Sequence, residues 1–290
     1  MSHPENTFMT TELAIPNGHF YSPVVDPADA EVHAHQIWTA QPGHMGFDFN
    51  DESHVKVLTD FFPAYISDYD YPEQGPIDSE LTHYYTQNSQ FSWLDSRLLY
   101  VLLRAEPPKR IVEVGSGYSS LLMADVNNRF LKNATEVVCI EPFPRPFLLR
   151  GLDGISRVIE KKVQDTEIDI FASLESGDVL FIDSSHVSKT GSDVNFLFFE
   201  VFPALAHGVR IHLHDIFLPF DYPMDWVLKH GRSWNEQYLL RAFLMHNYSF
   251  DVQFGCAYAW FRHKKLVIDA LAHPNGHGFG GGSFWIRKRG

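Results

Sequence analysis

Apolar positions along this chain follow two rhythms. Short, largely β-branched runs without polar alternation occur at residues 111–114, 136–140, 157–161, 178–182 and 209–213. Runs of that kind mark strands covered on both faces. Between them, residues 118–124 and 194–205 carry apolar side chains at helical spacing, and 235–246 repeats the pattern. Ahead of the first run, 81–104 reads as a helix in two pieces. Asn88 and Ser89 interrupt it, Leu98, Leu99, Val101, Leu102 and Leu103 make its apolar part, and Pro107-Pro108 stops it. Residues 250–254 and 283–287 read as two late strands, and the glycine-rich 276–282 as a loop before the last of them. Strands alternating with helices predict an α/β fold with a mostly parallel sheet and right-handed crossovers. Residues 1–75 differ: they hold short helical candidates at 32–38 and 55–66, and many aromatics, among them Phe20, Tyr21, Trp38, Phe47, Phe49, Phe61, Phe62, Tyr65, Tyr69 and Tyr71. The chain is therefore expected to divide into an aromatic-rich N-terminal extension, 1–75, and a main domain, 76–290. The extension would pack on that domain, lid a site or join identical subunits.

The first strand runs into Gly115-Ser116-Gly117 and then Tyr118, Ser119 and Ser120. Strand, glycine turn and helix form the opening unit of a doubly wound, Rossmann-like nucleotide fold. Gly115 and Gly117 can take positive φ and carry no Cβ to hold a ligand away from the backbone. Ser120 only half fits the third small position of a dinucleotide fingerprint, and the plainer reading is an ordinary strand-to-helix turn.

With 290 residues, 44% of them hydrophobic, the chain can bury a large core. The net charge of −13 argues against nonspecific partnership with nucleic acid or an anionic membrane. No basic, apolar leader opens the sequence and no run reaches membrane-spanning length. Cys139 lies within an apolar run and Cys256 stands alone, a usage that fits a reducing cytoplasm. Histidine is abundant, with 16 copies, and His186, His207, His212 and His214 fall near the expected sheet edge.

In an open α/β sheet the ligand lies outside the carboxyl ends of the strands. Those ends carry Glu113 with the glycine turn, Glu141, Gln164-Asp165, Asp183 and His214-Asp215. A lone loop acid is unremarkable, but here five successive strands each deliver a carboxylate to one edge. Glu141 can accept the hydroxyls of a ribose, and Asp165 the exocyclic amine of adenine. Acids around the turn suit an α-amino group better than a pyrophosphate, which points from NAD towards a cationic sulfonium nucleoside.

With those residues in view, the chain resembles the class I S-adenosylmethionine-dependent methyltransferases, closest to a bacterial small-molecule subgroup, from about Tyr71 onwards. The matching pieces are Ile111-Val112-Glu113-Val114-Gly115-Ser116-Gly117, Ile140-Glu141-Pro142, Val163-Gln164-Asp165, Phe181-Ile182-Asp183-Ser184-Ser185-His186 and Ile211-His212-Leu213-His214-Asp215-Ile216. Gly281-Gly282-Ser283-Phe284-Trp285-Ile286-Arg287 resembles the family's last strand. The resemblance implies a seven-stranded sheet with that strand antiparallel. It also implies S-adenosylmethionine as cofactor, with Glu113, Gly115 and Gly117 on the methionine part, Glu141 on the ribose and Asp165 on the adenine. Ser116, Ser119, Gln164 and Asp183 complete the expected cofactor set.

Methyl transfer needs the acceptor positioned and its proton removed. His186 and His214, with Asp215 beside the latter, are the candidate bases, and an oxygen of a small or sugar-like acceptor, in preference to a nitrogen, is the expected target. Asp183, His214 and Asp215 could also hold a divalent metal. Ile216 after Asp215 departs from the amide or acid common in magnesium-dependent relatives, and a histidine ligand suits a transition metal better. The alternatives are a metal-dependent oxygenase or hydrolase using Asp183, His186, His214 and Asp215, and a noncatalytic cofactor-binding protein.

Overall fold

The computed structural model describes residues 15–39, 42–271 and 281–289. Its sheet contains β1 (Arg110–Val114), β2 (Glu136–Ile140), β3 (Arg157–Ile159), β4 (Val179–Ile182), β5 (Arg210–Leu213), β6 (Phe250–Gly255) and β7 (Phe284–Lys288). They lie in the order β3-β2-β1-β4-β5-β7-β6. The first five pair in parallel, with Ile111 of β1 opposite Val137 of β2 and Val179 of β4. β7 slots antiparallel between β5 and β6, as the α/β reading of the sequence anticipated.

Alternate residues of each strand feed opposite cores, as the two-residue repeat of a strand requires. On one face Ile111, Val137, Val179, Phe181 and Trp285 meet helices α1 (Trp93–Ala105) and α2 (Tyr118–Phe130) through Leu98, Leu99, Leu102, Leu121, Leu122 and Val126. On the other, Val112, Val114, Leu180, Ile182, Ile211 and Leu213 meet Val194, Leu197, Val201 and Phe202, together with Leu240 and Leu244 of α3 (Glu236–Leu244). Each such side chain, once buried, contributes about 1.5–3 kcal/mol.

Three local expectations change. The helix read at 81–104 survives only as α1, because buried Asn88 takes the preceding chain out of helical form. Its side-chain amide donates to Tyr85 O and Phe91 O, while its oxygen accepts from the Gln90 and Phe91 amides. Helices Cys256–Arg262 and Lys264–Leu271 follow β6 and were not anticipated. The strand read at 157–161 is shorter, ending at Ile159. The glycine-rich loop falls, through residue 280, outside the described residues.

Two compact units emerge. The smaller joins the residues before 42 to Tyr222–Ser233. Within it, Asp26 caps helix Pro27–Val32 by accepting from the Ala28 amide, and Trp38 Nε1 donates to Tyr222 O at 2.7 Å. The larger comprises Pro42–Asp221 and Trp234–Gly290, so residues 42–75 belong with the sheet. There Phe49 stacks on Tyr258 with centroids 4.0 Å apart, and Asn50 Nδ2 and Ser53 Oγ donate to the Val252 and Gln253 carbonyls of β6.

His54 locks this attachment. It is fully buried against Phe254; Nδ1 donates to Asn50 O at 3.1 Å and Nε2 accepts the Gly255 amide at 2.8 Å. Burial pushes its pKa down to about 4. A folded-state value below the ordinary 6.5 gives stability that is complete above pH 6.5 and lost as pH falls through 4. Urea unfolding should therefore show on the order of 3 kcal/mol lost from this group over that window, at about 1.4 kcal/mol per pKa unit. His54→Gln, which has no titrating ring, should flatten that part of the profile; an identical profile in the variant would remove His54 as the cause.

Candidate active site

The glycine turn is built by contact. Gly115 has φ +80°, and a Cβ there would fall 1.8 Å from the Asp183 carbonyl oxygen. No side chain fits, so the turn lies directly against the end of β4. Behind it Glu113 is fully buried. Its carboxylate accepts from Ser119 Oγ at 2.6 Å, Ser120 Oγ at 2.5 Å and Cys139 Sγ at 3.2 Å. Ser120 Oγ in turn accepts the Gly117 amide at 3.0 Å. Burial raises the Glu113 pKa, and the two serine hydroxyls only partly offset it. Glu113 and Ser119 thus face inward and bind the turn to α2, whereas the sequence reading had aimed both at a ligand. Ser120, the imperfect third small residue, supplies a hydroxyl that glycine would not.

Glu141 follows β2 beside the turn. One oxygen accepts the Ser116 amide at 3.1 Å and the other the Phe143 amide at 2.8 Å, and the side chain remains half-buried. Gln164 and Asp165 lie on a single helical turn, Val163–Asp165. Gln164 Nε2 donates to Gly191 O, and Asp165 is exposed. Ser116 is buried, and among the described residues its hydroxyl has no hydrogen-bond partner.

Past β4 and β5 lies an alternating chain of acids and histidines. Asp183 Oδ1 stands 3.4 Å from His186 Nε2 and 3.4 Å from His214 Nδ1. Asp215 reaches both rings, with Oδ2 3.5 Å from His186 Nε2 and Oδ1 3.7 Å from His214 Nδ1. The far side of His186 meets Glu236, Nδ1 to Oε2 at 2.9 Å, and the far side of His214 faces Asp95 at 3.5 Å. Asp95 is anchored by the Gly282 and Ser283 amides.

Backbone geometry aims these groups. His186 and Asp215 both adopt left-handed backbone, at φ +60° and +56°, a conformation uncommon without glycine and worth about 1–3 kcal/mol of strain. The His186 carbonyl accepts the Asn235 and Glu236 amides, so the start of α3 grips the residue whose ring Glu236 also holds. Burial alone would lower both histidine pKa values. Hydrogen bonds donated by its ring to Asp183 and Glu236 instead raise His186 to about 10, and the charges of Asp183 and Asp215 lift His214 well above its ordinary value. Burial outweighs the attraction of His214 at Asp215, whose pKa rises; at Asp183 the two histidines outweigh burial, and its pKa falls.

The edge therefore brings together the glycine turn, Glu141, Asp183, His186, His214 and Asp215. Two expected neighbours lie elsewhere. His212 stacks on Phe181 at 3.8 Å inside the core, where burial holds its pKa well below the ordinary value. His207 precedes β5, at the opposite end of the strand. Asp95 and Glu236 were missed from sequence; they lie 88 and 53 positions from Asp183, and nothing local distinguishes them from surface acids.

A methyltransferase domain model matches residues 112–216, the stretch from β1 to just past β5. An uncharacterized protein of Archaeoglobus fulgidus is 33% identical over 182 residues, covering 60% of this chain and 81% of that protein. Among solved structures, the O-methyltransferase TomG from Streptomyces achromogenes, in complex with SAM, is similar at 15% identity and TM-score 0.38, covering 67% of this chain and 79% of its own. A putative methyltransferase from Thermobifida fusca is similar at 15% identity and TM-score 0.43, covering 67% and 79%. With the matched domain, the strand order and the glycine turn on one sheet edge, the chain belongs to the class I S-adenosylmethionine-dependent methyltransferases.

Proposed function

We propose that this enzyme methylates an oxygen, in preference to a nitrogen, of a small-molecule or sugar-like acceptor, with His186 or His214, once neutral, receiving the acceptor's proton. The observation that carries the reading is the contact between Gly115 and the Asp183 carbonyl. It sets the glycine turn against the strand end that bears the acid–histidine chain.

The residues fit the cofactor. The open turn and the unpartnered Ser116 hydroxyl offer polar backbone and side-chain groups, and the surrounding acids favour a cation. S-adenosylmethionine supplies the electrophilic methyl on its sulfonium. Glu141, with one oxygen fixed by Ser116 and the other by Phe143, is positioned to accept ribose hydroxyls, and Gln164 and Asp165 to read the adenine. Residues 1–75 are proposed as an N-terminal extension of the catalytic part at 76–290, with residues 42–75 of it packing on the sheet.

A metal-assisted version is favoured by spacing. Ligand atoms of Asp183, His186 and Asp215 lie within 4.8 Å of one another. The 3.4 and 3.5 Å separations around His186 Nε2 match the roughly 3.4 Å edge of a tetrahedron built on bonds of about 2.1 Å. Glu236 on Nδ1 is the outer partner a metal-binding imidazole ordinarily has. In this trio His186 takes the place the sequence reading had given His214. A divalent cation there would polarise an acceptor hydroxyl. Asp183, Asp215 and Glu236 would then orient His186, leaving His214 as the base.

Glu141→Ala should weaken S-adenosylhomocysteine binding by about 1–3 kcal/mol in calorimetry; an unchanged Kd would refute the ribose assignment. His214→Asn and Asp215→Asn should each lower turnover of labelled cofactor about 100-fold or more with nucleoside affinity within about threefold; full rate in both would show the proton goes elsewhere. Treatment with a chelator should abolish turnover and one divalent cation should restore it. Activity that persists at full rate would favour histidine acting alone.

A further inference from the structure

The amino-acid end of the nucleoside cofactor carries an α-ammonium and an α-carboxylate, and a site that takes it needs groups of opposite charge beside the glycine turn. Glu113 cannot be the acid. It is fully buried and its oxygens are engaged by Ser119, Ser120 and Cys139. Glu141 is held by the Ser116 and Phe143 amides, and Asp183 by two histidines.

A different pair stands at the mouth of the turn. A Cβ on Gly117 would lie 3.9 Å from Arg145 Nε, with no nearer neighbour among the described residues outside its own chain segment. The guanidinium sits 5.0 Å from the Tyr118 ring centroid. Its Nη1 donates to Asp78 Oδ2 at 2.6 Å and its Nη2 to Gln90 Oε1 at 2.9 Å. Asp78 Oδ1 also accepts the Tyr118 hydroxyl at 3.4 Å. Gln90 lies in the segment that buried Asn88 holds out of helical form, and Arg145 caps the short helix Pro146–Leu149. Three separate parts of the chain thus bring one cation and one anion to the turn.

We infer that Arg145 and Asp78 receive the α-carboxylate and α-ammonium of the cofactor's amino-acid end. The inference rests on the S-adenosylmethionine reading above and goes beyond it by naming residues outside the glycine motif. Both side chains are partly open, 29% for Arg145 and 38% for Asp78. An ion pair that exposed contributes little to stability and yields readily to a ligand. Each residue then exchanges part of one contact for a charge-assisted hydrogen bond of the matching sign, and the planar guanidinium suits a carboxylate. Gln90 and Tyr118 keep the two side chains in place.

The test compares two neutral thioether nucleosides that differ in this end alone: S-adenosylhomocysteine, which has it, and 5′-methylthioadenosine, which lacks it. Calorimetry on the full chain should give Arg145→Ala and Asp78→Ala at least tenfold weaker binding of S-adenosylhomocysteine, with the 5′-methylthioadenosine Kd within twofold of wild type. Arg145→Lys should recover part of the loss. Unchanged S-adenosylhomocysteine affinity, or equal losses for both ligands, would overturn the assignment, the latter by making the pair a structural tie. Wild-type protein that binds neither nucleoside would instead overturn the cofactor site, and this inference with it.

Discussion

Asp183 Oδ1, shared between two histidine rings, is the contact on which the active edge depends. A carboxylate at a strand end surrounded by apolar layers is costly unless opposite charge reaches it. His186 and His214 supply that charge from two directions, and each is backed by a further acid, Glu236 and Asp95. The alternation keeps every buried charge next to one of opposite sign. It also favours the protonated form of both rings, so a histidine that is to take up a proton must first lose its own, a change that the positive charge of a sulfonium or a metal ion beside it promotes. Two left-handed residues, His186 and Asp215, bear backbone strain to complete it.

The glycine turn follows a related logic. Its Gly115 is required because the Asp183 carbonyl occupies the place of a side chain. Its acid, Glu113, is turned inward to fix Ser119 and Ser120 at the start of α2. The motif that looks from sequence like a ring of ligand-binding groups is thus partly a brace. The brace gives the turn one conformation, so a ligand meets amides already in place rather than a loop that must be ordered.

As a methyltransferase, the chain is neither the oxygenase or hydrolase nor the noncatalytic binder that the same residues could have served. The His186 side, however, retains the features of a metal site: convergent ligand atoms and an outer carboxylate. The two proposed proton routes, one through His214 alone and one assisted by a cation at His186, use the same arrangement of side chains.

The sequence by itself determined the five parallel strands, the glycine turn and the row of strand-end acids, because burial on both faces and tight strand-to-helix turns leave local patterns of residue type. Only the tertiary structure decided the rest. Asn88 broke a helix that periodicity had favoured, through four hydrogen bonds to its neighbours that no apolar pattern records. Glu236 and Asp95 joined the histidines from distant helices, and Arg145 met Asp78 across 67 positions of chain. His212, two residues from His214 and on the same face of the sheet, lies within β5 and packs against Phe181 in the core, whereas His214 lies just past the strand's end. The physical reason is common to all of these: periodicity reports which side of an element is buried, whereas a site depends on which elements adjoin, and adjacency is set by the packing of the whole sheet.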